Sequence, residues 1–141
     1  MTEEFRTTRR VEFGDTDQAG IVHFANFFRY MEAAETEFLR SRGLSVSWSE
    51  GGRRYGFPRV SASCDYLRPA RFEDVLEVGV ALEKIGSKSL TFLFTFRKGD
   101  EVIARGRVSS VFCRETPGHG LESLEISDEI REKLRSAPQG P

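Results

Sequence analysis

Apolar residues recur along this chain with two different periods. Phe27, Tyr30, Met31, Ala34 and Phe38 fall at i, i+3, i+4, i+7 and i+11. That spacing lays one apolar stripe along a helix. Arg29, Glu32, Thr36 and Arg40 lie round the other side, while Phe28 and Leu39 fall outside the stripe and predict a second buried contact. The helix is expected to begin between Phe24 and Asn26 and to end near Arg42, with Gly43 as its stop. From Phe57 onward the period drops to two. Val60, Ala62, Cys64 and Tyr66 alternate with polar neighbours, as do Leu76, Val78, Val80 and Leu82, then Leu90, Phe92, Phe94 and Phe96. Val102 to Cys113 is a fourth run. Alternation predicts strands with one face buried.

The segments between these runs set the topology. Gly86-Ser87 and Gly99-Asp100 are short breaks, which suit antiparallel hairpins. The connection through Pro69 is longer and suits a crossover at a sheet edge. Thr7 to Phe13 reads as a first strand and Gly14 to His23 as a polar loop. Leu44 to Gly56 reads as a connection around Gly51-Gly52, with room for a short helical turn. Thr116 to Gly120 reads as a loop, Ser127 opens a short final helix, and residues 136–141 read as a frayed tail. One strand, a long helix, four antiparallel strands and a short helix make an α+β plan: one curved antiparallel sheet wrapped around a single central helix. The plan fills residues 1–141 as one domain, with no repeat or second boundary.

Charge narrows the function. The 21 basic and 22 acidic residues leave a net charge of -1, which argues against bulk nucleic-acid binding. Most of the basic residues are arginine, a type suited to local phosphate recognition. Cys64 and Cys113 lie in apolar runs without metal-type spacing and read as buried reduced thiols. No apolar run suggests a signal peptide or a membrane span, so a cytoplasmic protein is expected. No metal-ligand spacing and no dinucleotide fingerprint occur, so no cofactor is implied.

The loop before the long helix holds the candidate chemistry. Asp15 and Asp17 lie there. A carboxylate in such a place can attack a carbonyl carbon or activate water, or it can merely cap the loop. Asp15 is assigned to the scaffold. Backbone N–H groups at the following helix start favour a developing negative charge. Gly20 would let the loop turn tightly beside a substrate. His23 could supply a second acid–base group or form a pocket wall, and Asn26 could orient substrate or begin the helix. His119, in a Gly-rich loop, reads as solvated. Glu32, Glu35 and Glu37 lie on the helix, Glu35 beside the apolar stripe.

Phe13-Gly14-Asp15-Thr16-Asp17-Gln18-Ala19-Gly20-Ile21-Val22, followed by Asn26 and an aromatic helix, resembles the hotdog-fold acyl-CoA thioesterases of the 4-hydroxybenzoyl-CoA thioesterase type. The resemblance covers nearly the whole chain, including Lys88-Ser89 at the start of a strand. It implies the hotdog fold and hydrolysis of an acyl-CoA to a free acid and CoA. It also implies that Asp17 acts on the thioester carbonyl carbon as nucleophile or general base. A backbone N–H near Phe24 would polarise that carbonyl, and Lys88 and Ser89 would contact CoA phosphates, with Arg59, Arg68 and Arg71 as further candidates. It implies a homodimer or homotetramer with sheets joined edge to edge and sites at the subunit interface. Two positions depart from the aromatic-acyl pattern: His23 replaces a bulky aromatic residue, and Gly86 replaces a basic one. A dehydratase or hydratase acting on an acyl thioester, and a non-catalytic acyl-CoA-binding module, are the alternatives on the same fold.

Overall fold

The structure is a computed structural model that describes residues 4–136, so residues 137–141 of the expected tail lie outside the described part. The elements are β1 (Phe5–Arg10), a single 3-10 turn (Phe13–Asp15), α1 (Asn26–Ser41), β2 (Ser47–Glu50), β3 (Arg53–Gly56) and β4 (Arg59–Tyr66). They continue as β5 (Val75–Ile85), β6 (Ser89–Lys98), β7 (Glu101–Val111), β8 (Cys113–Thr116), β9 (Gly120–Ser123) and α2 (Asp128–Arg135). The main sheet is antiparallel throughout, in the order β1-β5-β6-β7-β4. β5, β6 and β7 are joined by the two expected hairpins. The Pro69 segment carries the chain from β4 at one edge across to β5, as its length suggested.

α1 begins and ends where the pattern placed it. Phe27, Tyr30, Met31, Ala34 and Phe38 are all buried, and Leu39 with them; Phe28 is partly buried against the same core. Gly43, at φ 72°, closes the helix: its N–H donates to Arg40 O and that of Leu44 to Leu39 O. The rings set the helix's direction across the sheet. Phe27 packs edge-on against Phe96 at 5.2 Å, and Phe38 against Phe92 at 5.5 Å. Phe38 also meets Phe5 on β1, and Phe27 meets Tyr66 on β4. The two edges and the middle of the sheet therefore all reach one helix, which requires the sheet to curve round it. At Gly106 a Cβ would collide with Met31 Sδ, so this glycine lets the helix come down onto β7.

Four local expectations change. The first strand is Phe5–Arg10, because the chain turns at Phe13–Asp15. The Leu44 to Gly56 segment is a hairpin, β2-β3, rather than an irregular connection. Gly51 and Gly52 both take positive φ, 59° and 76°, as a two-residue hairpin turn requires. The fourth run breaks at Phe112 into β7 and β8. β8 joins a second, four-stranded sheet, β2-β3-β8-β9, whose last turn contains the expected 116–120 loop. Finally, β4 does not bury one face in the single chain: Val60 is 64% and Tyr66 44% exposed. It is an edge strand, paired only to β7, and α1 covers little of it. Cys113 is buried and Cys64 half-buried, both as free thiols, and burial pushes the Cys64 thiol up to about 11. Among the described residues no helix is long and apolar enough to cross a membrane.

Candidate active site

The loop between β1 and α1 is held by its own backbone. An antiparallel bridge joins Thr16 to Val22, and the Asp17 N–H donates to Ile21 O at 2.9 Å. The Gly20 N–H donates to Asp17 O at 2.9 Å, and Gly20 sits at φ 80°, a conformation that suits glycine. The Asp17 carboxylate takes part through one oxygen: Ala19 N–H donates to Oδ1 at 2.8 Å. Among the described residues nothing donates to its Oδ2. Asp17 is thus half-buried, oriented by an Asx turn, and left with one free oxygen.

Asp15 is spent on scaffolding. Its Oδ2 accepts from Glu12 N–H at 2.9 Å and from Tyr30 O–H at 2.8 Å. Its carbonyl accepts from His23 N–H and from Asn26 Nδ2. Burial, and then the Asp15 carboxylate, push the Tyr30 phenol above the usual range, so it stays a donor. Asn26 therefore ties the helix start to the loop with one side-chain N–H.

The helix start is open. The N-terminal cap position, Ala25, offers no side-chain cap, and the first turn holds no acidic residue, so the positive end of the helix dipole is not neutralised locally. The amides of His23, Ala25 and Asn26 all find acceptors; that of Phe24 meets none among the described residues. The Phe24 carbonyl accepts from Tyr66 O–H at 2.8 Å. The exposed His23 ring stacks on Phe24 with centroids 4.7 Å apart. Its Nδ1 accepts from Ala25 N–H at 3.2 Å, which puts the proton of the neutral ring on Nε2.

Asp17, Phe24, Phe27, Tyr66, Leu67 and Arg68 line one cavity of about 460 Å³. The alternation of β4 marks Tyr66 only as an inward-facing strand residue; its hydroxyl contact lies far off in sequence and leaves no local signal. Arg71 Nη1 reaches Gly20 O at 3.5 Å, and Arg68 pairs with Glu101 at 3.0 Å. Arg59 lies elsewhere, committed to Glu35. Glu35 is buried on α1; burial raises its carboxyl above the usual range, while the Arg59 charge pulls it back down. Glu32 is exposed and Glu37 half-exposed.

Lys88 and Ser89 are not brought to Asp17. Tyr66 pairs with Ala104, which pairs with Phe96, whereas Ser89 pairs with Val111 near the Arg59 end. Ser89 and Phe96 are seven residues apart on β6, roughly 23 Å at the rise of a strand. The 86–89 turn is braced by α2 instead: Arg131 Nη2 donates to Gly86 O at 2.7 Å and Ser87 O at 3.1 Å. A guanidinium from α2 thus stands beside the turn where Gly86 leaves no cation of its own. Among the described residues no group of three or more His, Cys, Asp and Glu is placed to hold a metal.

Residues 11–134 match the family model described as the thioesterase-like superfamily. A solved hypothetical protein of Aquifex aeolicus is similar at 33% identity and TM-score 0.79, covering 92% of this chain and 98% of its own. The 4-hydroxybenzoyl-CoA thioesterase of Pseudomonas sp. (strain CBS-3) is 30% identical over 134 residues, 93% of this chain and 83% of that one. A solved aspartate-to-asparagine mutant of a 4-hydroxybenzoyl CoA thioesterase, complexed with 4-hydroxybenzoyl CoA, has TM-score 0.79 at 26% identity. That match covers 94% of this chain and 99% of that one.

Proposed function

The chain belongs to the thioesterase-like superfamily, and we propose on that footing that it hydrolyses an acyl-CoA with the Asp17 carboxylate as its reacting group. The hotdog fold and thioester hydrolysis come with the membership. One observation carries the finer reading: Asp17 and Phe24 line the same cavity, with Asp17 Oδ2 and the Phe24 N–H each free of partners among the described residues.

The chemistry follows from those two groups. A thioester carbonyl seated between them would take its oxyanion on the Phe24 amide, helped by the uncapped helix start. Asp17 Oδ2 would approach the carbonyl carbon from the other side. As a nucleophile it forms a tetrahedral adduct that expels the CoA thiolate and leaves a mixed anhydride for water to cleave. As a general base it draws the proton from the attacking water, and the same oxyanion forms. Trapping an acylated enzyme with hydroxylamine separates the two routes.

CoA needs more than this end of the sheet. β4 is an unpaired edge, and an unpaired edge is a template for another strand. Antiparallel pairing of β4 with the same strand of a second copy would set the Arg59 end of one against the Tyr66 end of the other. The Lys88-Ser89 turn of one copy then comes to the side that holds the other copy's Asp17. The proposed assembly is therefore a homo-oligomer whose sites each draw on two chains.

The test is Asp17→Asn assayed for thiol release across a panel of acyl-CoAs. Loss of a positioned acid–base group costs about 10²- to 10⁴-fold in rate, and a larger loss is expected if the carboxylate is the nucleophile. A kcat/KM near the wild-type value on the best substrate would overturn the assignment.

A further inference from the structure

The path from Tyr66 to His23 uses three hydrogen-bonding groups in series. Tyr66 O–H donates to the Phe24 carbonyl at 2.8 Å. That carbonyl belongs to the peptide whose N–H, on Ala25, donates to His23 Nδ1 at 3.2 Å. A peptide that accepts at its oxygen is polarised to donate better at its nitrogen. The Tyr66 ring is itself fixed, edge-on to Phe27 at 5.3 Å and on a strand paired to Ala104. The Phe24 carbonyl has no other donor among the described residues, Phe24 is 63% exposed and Ala25 has no side-chain cap.

We infer that Tyr66 is a positioning residue for thioester hydrolysis, holding the His23–Ala25 segment so that the Phe24 amide faces the reacting carbonyl. The inference rests on the reading of Asp17 and Phe24 above. Tyr66 lines the cavity, but its hydroxyl is committed to Phe24, so it acts through the backbone and not on the substrate. Without the hydroxyl the Phe24 carbonyl loses its anchor, the peptide on its C-terminal side can rotate, and His23 loses the donor that sets its tautomer.

Tyr66→Phe keeps the ring and removes only the anchor. An oxyanion donor removed outright costs about 10²- to 10³-fold, and one merely loosened is expected to lower kcat about tenfold, with KM within about twofold. Its thermal midpoint should stay close to wild type, because the ring packing persists. A second readout is the ¹⁵N spectrum of the His23 ring, which should show the Nε2–H form in the wild type and mixed tautomers in Tyr66→Phe. A variant with wild-type kcat, a loss carried wholly by KM, or an unchanged His23 spectrum would overturn the role. Asp17→Asn is assayed alongside. If it is inactive while Tyr66→Phe is fully active, only the Tyr66 inference falls. If it stays active, the reading of the site falls first.

Discussion

Replacing Arg59 with Met is the perturbation whose outcome the structure specifies most closely. Glu35 is 2% exposed on α1, and Arg59 Nη2 is its ion-pair partner. Removing one partner of a buried pair strands the other charge and costs about 3–5 kcal/mol. The Arg59 side chain is 32% exposed, so solvent already weakens the pair, and the lower end, about 3 kcal/mol, is the expected value. For a chain of this size that is a fall of about 10 °C in Tm near neutral pH. The pH dependence is the sharper signature. Burial raises the Glu35 carboxyl above its unfolded value, and Arg59 opposes that rise. A carboxyl with a raised folded pKa gives stability that is present below the unfolded value and lost as pH climbs through the folded one. Without Arg59 the folded value rises further, so the loss deepens. Arg59→Met should therefore differ little from wild type near pH 4 and fall progressively behind it toward pH 8. Differential scanning calorimetry across that range, at one fixed protein concentration, reads the effect. The double variant Glu35→Leu, Arg59→Met should recover most of the loss. A deficit equal at all pH values, or larger in acid, would refute the reasoning.

Two further outcomes follow from local geometry. Ser127 Oγ accepts from Ile130 N–H at 3.2 Å and starts α2, so Ser127→Ala should cost about 1 kcal/mol of unfolding free energy in urea titration. Val60→Asp places a charge on the exposed edge of β4; sedimentation should show dissociation toward monomers, with thiol release falling alongside while the monomer stays folded by circular dichroism.

Long periodic segments were legible in the sequence because burial writes its period directly. The α1 stripe and the alternation of β5 and β6 each face one continuous core, and each ended up buried. β4 misled for the same reason. Its alternation predicts a buried face, yet among the described residues most of the strand stays exposed. The β2-β3 hairpin was hidden because its strands are four residues each and mostly polar, too short for a period to show. Its Gly51-Gly52 turn was visible but lacked flanking apolar runs to mark it. At the site, the scaffold role expected of Asp15 was legible because the loop and the helix start that it ties together are contiguous in sequence. Tyr66 could not be found that way. Its contact with Phe24 spans 42 residues and depends on how β4 lies against α1.

The roughly 23 Å that separate Lys88-Ser89 from the Asp17 end of the sheet, a distance set by strand rise, also bear on heredity. If each site borrows its cation from a neighbour, damage to the two ends can be parcelled into different chains. A chain lacking the Asp17 carboxylate and a chain lacking the Lys88 cation would each fail alone. Mixed freely, half of their pairs would be unlike, each with one intact site and one doubly broken, for about a quarter of full output. Two defective alleles would then complement each other within one assembly, and a single defective allele would harm the sites of its healthy partners.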